Sequence, residues 1–114
     1  MSVRLSYHGR MPVLGELENA VMEILWSHRV AMSVRDVHDL LARQRDLAYT
    51  TVMTVLDRLS KKGIVHRELE GRAWLYRPAR TRVQLVVGEI RDMLDALPAA
   101  ERAEVLREVG AGDA

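Results

Sequence analysis

The residues with most to offer chemically lie in one segment, AYTTVMTVLDRLSKKG at Ala48–Gly63. Thr50, Met53 and Thr54 recur at helical spacing on one side, and Arg58 and Lys61 continue that side toward the C-terminal end. Threonine hydroxyls can donate to or accept from base edges, while their methyls and a methionine side chain can touch thymine methyls. The cations beyond them suit phosphates. On pattern alone the same side chains also fit a plain solvated helix face. Val52, Val55, Leu56 and Leu59 fall at i, i+3, i+4 and i+7 on the other side and read as core. Tyr49, exposed at the helix start, can reach a nucleic-acid backbone. Lys62, Arg67 and Arg72 cluster beside this helix, which favours phosphate contact over a merely solvated cationic surface.

Other chemistries have little support. The chain has no cysteine, which removes disulfides, thiolate catalysis and iron–sulfur clusters. His8, His28, His38 and His66 are scattered over separate elements without ligand spacing. No glycine-rich phosphate loop, acid–base pair or nucleophile motif occurs, so neither an enzyme nor a cofactor or metal site is expected.

These residues need elements to hold them. At 114 residues, 48% hydrophobic and 29% charged, the chain suits one folded domain with a tail rather than a disordered polymer. A first helix is expected from Leu14 to about His28, its stripe made by Leu17, Val21, Ile24 and Leu25, with Ala20, Met22 and Trp26 on the borders. Val30–Met32 reads as a short extended link. Ser33 is a good N-cap, with Asp36 three residues on, for a second helix to about Arg43 that buries Val34, Val37, Leu40 and Leu41. The third helix spans Tyr49–Lys62 and is stopped by Gly63. Ile64–Leu69 and Arg72–Tyr76 read as strands around Glu70–Gly71, with a type I turn and glycine bulge favoured over a two-residue primed turn. Trp26, Trp74 and Tyr76 read as core or hairpin packing.

The fold class expected is mostly α with a small β-hairpin: a winged helix-turn-helix followed by a helical dimerisation tail. Residues 1–13 are expected to form a flexible arm, 14–80 the DNA-binding domain and 81–114 the dimerisation region. Residues 1–82 hold 14 Lys/Arg against 9 Asp/Glu, and residues 83–114 hold 3 against 7. A basic body with an acidic tail fits a body that meets a polyanion. In the tail Val83, Val86, Val87, Ile90, Met93, Leu94 and Leu97 make a stripe, Pro98 breaks it, and Ala99–Val109 turns Ala103, Leu106 and Val109 inward. That is more apolar face than the body can cover, and a homodimer seam accounts for it. No run of about 18 apolar residues and no leader is seen, so a cytoplasmic protein is expected.

LGELENAVMEILW at Leu14–Trp26, VRDVHDLL at Val34–Leu41, AYTTVMTVLDRLSKKG and the hairpin ending in LYRP together resemble the BlaI/MecI penicillinase-repressor family. The likeness covers residues 14–78. It implies a homodimeric repressor of transcription that binds a dyad operator in double-stranded DNA, commonly with TACA/TGTA half-sites, upstream of resistance or stress genes. It implies base contacts at Thr50, Met53 and Thr54 and phosphate contacts at Thr51, Arg58, Lys61 and Arg72. Some members carry a long basic side chain where Met53 stands, which leaves the half-site base facing it open.

Family members have three tail helices, and a membrane sensor protease triggers cleavage of an Asn–Phe bond in the middle one. Here there is no Phe, the single Asn is Asn19, and ALPAAERAEVL follows the first tail helix almost directly. The middle helix is therefore expected to be missing, and the usual cleavage does not carry over. The copper-sensing branch, which uses cysteines, is excluded. The rival from another class is a winged helix that docks a protein partner and does not bind DNA itself.

Overall fold

The computed structural model describes residues 14–111, so the arm expected at residues 1–13 lies outside the described residues. Helix α1 (Glu16–Ser27) is followed by β1 (Met32–Ser33), α2 (Val34–Leu41) and α3 (Tyr49–Lys61). Strands β2 (Val65–Glu70) and β3 (Ala73–Pro78) and helices α4 (Arg82–Asp95) and α5 (Ala99–Ala111) complete the order. This is a winged helix with a helical tail. The chain divides into two compact units, the first ending at Arg82 and the second beginning at Val83. Among the described residues no helix is long and apolar enough to cross a membrane.

In the first unit, α1, α2 and α3 close over a core in which Val21, Met22, Leu25, Val37, Val52, Leu56 and Leu59 are fully enclosed. The α3 stripe is the expected one. That of α1 is rotated: Met22 is core, Leu17 and Ile24 are half-buried, and Glu18 and Asn19 are buried. The stripe turns toward Glu18 because that carboxylate has a partner inside the body, described below. In α2, Leu40 is half-buried while Val34, Val37 and Leu41 go in. Its capping box is complete: Ser33 Oγ accepts from Asp36 N–H at 3.1 Å and Asp36 Oδ2 accepts from Ser33 N–H at 3.0 Å.

The end of α3 is set by backbone geometry. Gly63 has φ +75°, Ile64 N–H donates to Leu59 O, and Gly63 N–H donates to Ser60 O, both at 3.0 Å. That is a Schellman motif, and Leu59 and Ile64, which it brings together, are both buried. The sheet is antiparallel in the order β1-β3-β2, with Met32 opposite Tyr76 and Val65 opposite Pro78. Glu70 pairs with Ala73, which leaves only Gly71 and Arg72 in the turn. Gly71 has φ +64° and no other residue than Gly63 and Gly71 has positive φ among those described. The turn is therefore a two-residue loop with the type II′ sign pattern, not the bulged type I turn expected, since only the first central position needs glycine.

After β3, Trp26 Nε1–H donates to Arg80 O at 2.9 Å, and the Arg82 guanidinium lies 4.9 Å over the Trp26 ring and pairs with Glu23. In the second unit Arg102 holds the corner: its Nε–H donates to Leu94 O at 3.0 Å and its Nη2–H to Leu97 O at 2.9 Å. Leu94 O also accepts from Leu97 N–H at 3.0 Å, so Arg102 adds a second donor there and caps the Leu97 carbonyl just past the end of α4. Leu85, outside the expected stripe, is the buried residue of α4. Val86, Leu94 and Leu97 are half-buried, whereas Val83, Val87, Ile90 and Met93 are exposed. The inward placement expected for Ala103, Leu106 and Val109 is not observed: no α5 residue is buried within one chain, since nothing in this unit lies over that face.

The two glycines with positive φ give a direct test. A Cβ at either would meet no atom within 4 Å, so only the backbone conformation resists substitution. Gly63→Ala and Gly71→Ala are each expected to cost about 1 kcal/mol in urea unfolding, whereas Gly88→Ala, in mid-helix, is expected to stabilise by a similar amount.

Candidate nucleic-acid interface

The outward face of α3 is continuous. Thr50, Met53, Thr54, Arg58 and Lys61 are all exposed along it, and Asp57, half-exposed, sits in their midst. The helix begins without a side-chain cap: Ala48 occupies the N-cap, and the first turn holds no acid. Its first N–H groups and the positive end of the helix dipole thus face outward with no carboxylate to answer them, which favours an anion there. Tyr49, 44% exposed, lies edge-on to His38 with ring centroids 6.0 Å apart. His38 Nε2 is 2.7 Å from Leu47 O, so the proton sits on Nε2 and donates to that carbonyl, tying α2 to the turn that leads into α3.

Each sequence-derived candidate can now be placed. Thr54 Oγ1–H donates to Thr50 O at 2.9 Å, which turns the Thr54 methyl and its hydroxyl lone pairs toward the surface. Thr51 is half-buried and lines an open recess between the start of α1 and α3, with Gly15, Glu18, Thr54, Arg58 and Lys62. Lys61 Nζ lies 3.1 Å from Asp57 Oδ2 and remains 77% exposed. Arg72 is exposed in the hairpin turn, on a different element from α3. The tail residues Val83–Leu106 belong to the second unit.

Lys62 stands apart. Its ammonium donates to both carboxylate oxygens of Glu18 at 2.9 Å, and Glu18 Oε1 also accepts from Gly15 N–H at 3.0 Å. Burial pushes the Glu18 carboxyl up, but the Lys62 and Gly15 hydrogen bonds and the fields of Lys62 and Arg58 outweigh it and hold its pKa below the usual carboxylate range. One acid thus closes the first turn of α1 and fastens the last turn of α3.

Sequence reasoning passed over two carboxylates, one on this face and one beneath it. Asp57 is a carboxylate on an otherwise cationic strip, and Lys61 and Arg67, whose Nη1 lies 3.8 Å from Asp57 Oδ1, offset its charge. Its i, i+4 spacing from Lys61 was the available signal. Glu18 falls between Leu14 and Met22 at steps of four, an acid within an apolar stripe, and that was the signal for a buried pair.

Comparison with known proteins then decides the family. The penicillinase repressor family profile matches residues 14–111. The chain belongs to the penicillinase repressor family. It is 52% identical over 88 residues to the transcriptional regulator BlaI of Mycobacterium tuberculosis, a match covering 77% of this chain and 62% of that one. The chain thus spans less than two thirds of the length of that relative. Among solved structures it is similar to the DNA-binding domain of the repressor BlaI, with 28% identity and TM-score 0.57 over 66% of this chain and 90% of that one. The monomeric form of Bacillus licheniformis BlaI in complex with the blaP half-operator is also similar, at 28% identity, TM-score 0.54 and the same coverage. The family match runs through both tail helices, as well as the winged helix.

The Glu18 pair makes acid stability a readout of how α3 is held. Because the folded pKa is depressed, the ionised carboxylate stabilises the fold above its unfolded pKa, and that contribution is lost as pH falls through the folded value. Glu18→Gln is expected to lower stability by about 1–2 kcal/mol near neutral pH. The gap between variant and wild type is expected to close as thermal melts are carried from about pH 7 to about pH 3. A gap independent of pH would show that packing, not charge, is what the substitution removes.

Proposed function

We propose that this chain is a sequence-specific repressor of transcription, acting in the cytoplasm as a homodimer on a dyad operator in double-stranded DNA. The observation that carries this is the outward face of α3, where Thr50, Met53 and Thr54 lie over an uncapped helix start and Arg58 and Lys61 follow at its end. In this reading α3 enters the major groove with the threonines and Met53 at base edges. Thr51, Tyr49, Arg58, Lys61 and the wing cation Arg72 take phosphates. Lys62 serves them indirectly, since its ammonium is engaged by Glu18.

Residues 14–80 form the reading unit and 81–114 the seam between two copies, to which the exposed Val83, Val87, Ile90, Met93 and Leu106 contribute. A dimer sets two recognition helices about one helical turn of DNA apart, and occupation of a promoter excludes polymerase. Loosening the seam weakens DNA binding by linkage. A membrane sensor protease upstream would have to cut this chain at a bond other than Asn–Phe, which the sequence lacks.

Binding-site selection from random duplexes, followed by fluorescence anisotropy on the selected and a shuffled duplex at two salt concentrations, tests the reading. A dyad should emerge and be preferred by about three orders of magnitude, with affinity falling steeply in salt. Arg58→Ala is expected to weaken both duplexes alike and reduce the salt slope by about one. Thr54→Ala should relax preference at one base pair per half-site by about 1–3 kcal/mol. No binding to any duplex at low salt would overturn the proposal in favour of a protein-docking winged helix.

A further inference from the structure

The methionines of the described residues sort by exposure. Met22 and Met32 are buried in the body, whereas Met53 is 42% and Met93 64% exposed. Met93 stands among the exposed apolar residues of α4, and Met53 in the middle of the outward face of α3. The chain has no cysteine, so its thioethers are the side chains that a peroxide oxidises most readily.

The surroundings of Met53 suit a thioether and not a polar replacement. On the helix surface its neighbours are Thr50 and Thr54 on one side and Asp57, four residues on, on the other. Thr54 Oγ1–H is already given to Thr50 O at 2.9 Å, so that hydroxyl has no proton for a new oxygen beside it. The Asp57 carboxylate can only accept, and it is taken up by Lys61 and Arg67. An oxygen added to the Met53 sulfur would therefore depend chiefly on water for its hydrogen bonds.

We propose that Met53 is a modification site, at which oxidation by a peroxide lowers the affinity of the protein for its operator. The inference rests on the DNA-binding reading above, in which Met53 packs against base edges. The Met53 sulfur attacks a peroxide oxygen: the O–O bond breaks, an S–O bond forms, and the other oxygen leaves as water. Sulfur is oxidised by two electrons to the sulfoxide, and hydrogen peroxide is reduced. The product is polar and chiral where the thioether was apolar. Against a thymine methyl it gives up its water without replacement, which weakens binding about ten- to a hundredfold. Phosphate contacts do not involve this side chain, so the loss falls on sequence preference. Dedicated reductases return the sulfoxide to the thioether, which makes the change reversible. Met93 is the other exposed thioether, but the tail seam would cover it in a dimer. Release by this route needs no Asn–Phe bond.

The test treats wild type, Met53→Leu, Met53→Gln and Met93→Leu with hydrogen peroxide and removes the oxidant. Each protein is titrated before and after treatment on the selected duplex and on the shuffled one. Trypsin places the two exposed methionines in separate peptides, Asp46–Arg58 and Asp92–Arg102, so mass spectrometry reads added oxygen at each. Oxidised wild type and oxidised Met93→Leu are expected to bind the selected duplex about ten- to a hundredfold more weakly, with little change on the shuffled one. Treatment should leave the affinity of Met53→Leu where it stood, whatever its starting value. Untreated Met53→Gln should bind as oxidised wild type does, and methionine sulfoxide reductase should restore the treated wild type. The selected duplex should slow oxidation at Met53. Oxygen at Met53 with undiminished preference, an equal loss in Met53→Leu, or a Met53 left intact while Met93 is oxidised would each overturn the inference and leave the DNA reading standing. Failure of untreated wild type to bind either duplex would remove the DNA reading and this inference with it.

Discussion

The ion pair between Glu18 and Lys62 is the constraint on which the outward chemistry of α3 depends. A recognition helix must be fixed in rotation, because a turn of one residue would bury Thr54 and expose Val55. The apolar stripe of Val52, Val55, Leu56 and Leu59 supplies most of that hold, but apolar contact is not directional and tolerates small rotations. A carboxylate that receives two hydrogen bonds from one ammonium and a third from the backbone of α1 is directional. The pair is half open at the lysine end, 44% exposed against 10% for Glu18, so Lys62 keeps part of its hydration while Glu18 is desolvated. That asymmetry avoids the full cost of a closed buried pair and still leaves the glutamate with no alternative partner as good.

The same economy of charge runs over the surface. The strip formed by Arg58, Lys61, Arg67 and Arg72 would repel itself if its cations stood alone, and Asp57 placed among them relieves that repulsion. A polyanion arriving at this strip finds cations already directed outward, and it must compete with only one carboxylate. Lys61 and Arg67 share that carboxylate at 3.1 and 3.8 Å, distances at which either can turn to a phosphate without leaving Asp57 unpaired. The hairpin and α3 are thereby coupled through Asp57.

Much of this was legible in the order of residues. The three body helices, the stop at Gly63, the cap at Ser33 and the existence of the hairpin follow from local rules that act within a few residues, and those rules were met. What local rules could not reach was contact across long separations. Glu18 and Lys62 are 44 positions apart, so the rotation of α1 that buries Met22 and half-exposes Leu17 and Ile24 was invisible to a count of apolar positions. The hairpin turn was misjudged by one residue, since Gly71 satisfies either turn and only the pairing of Glu70 with Ala73 distinguishes them. The exposed run of Thr50, Met53 and Thr54 on α3 was visible as a pattern, but the separate tasks of the cations beyond it were not. Lys62 looks like another surface cation until its partner is known.

The tail poses the converse problem, a clear apolar pattern that the described residues of one chain leave largely uncovered. Arg102 closes the α4–α5 corner by taking the carbonyls of Leu94 and Leu97, which fixes the geometry of the unit without burying its apolar side chains. Val83, Ile90, Met93, Leu106 and Val109 stay in water as a consequence. A monomer that keeps several large apolar residues exposed on one pair of helices is under a steady drive to cover them. A second copy would do so with identical chemistry and close the assembly, whereas a heterologous contact would leave an open end. If that seam forms, the second half-site is met at an effective concentration set by the dimer's own dimensions, and modest affinity per reading unit becomes strong occupancy of a dyad. In the proposed reading, α3 would then need only a few contacts per half-site, which is what a short face of two threonines and a methionine can provide.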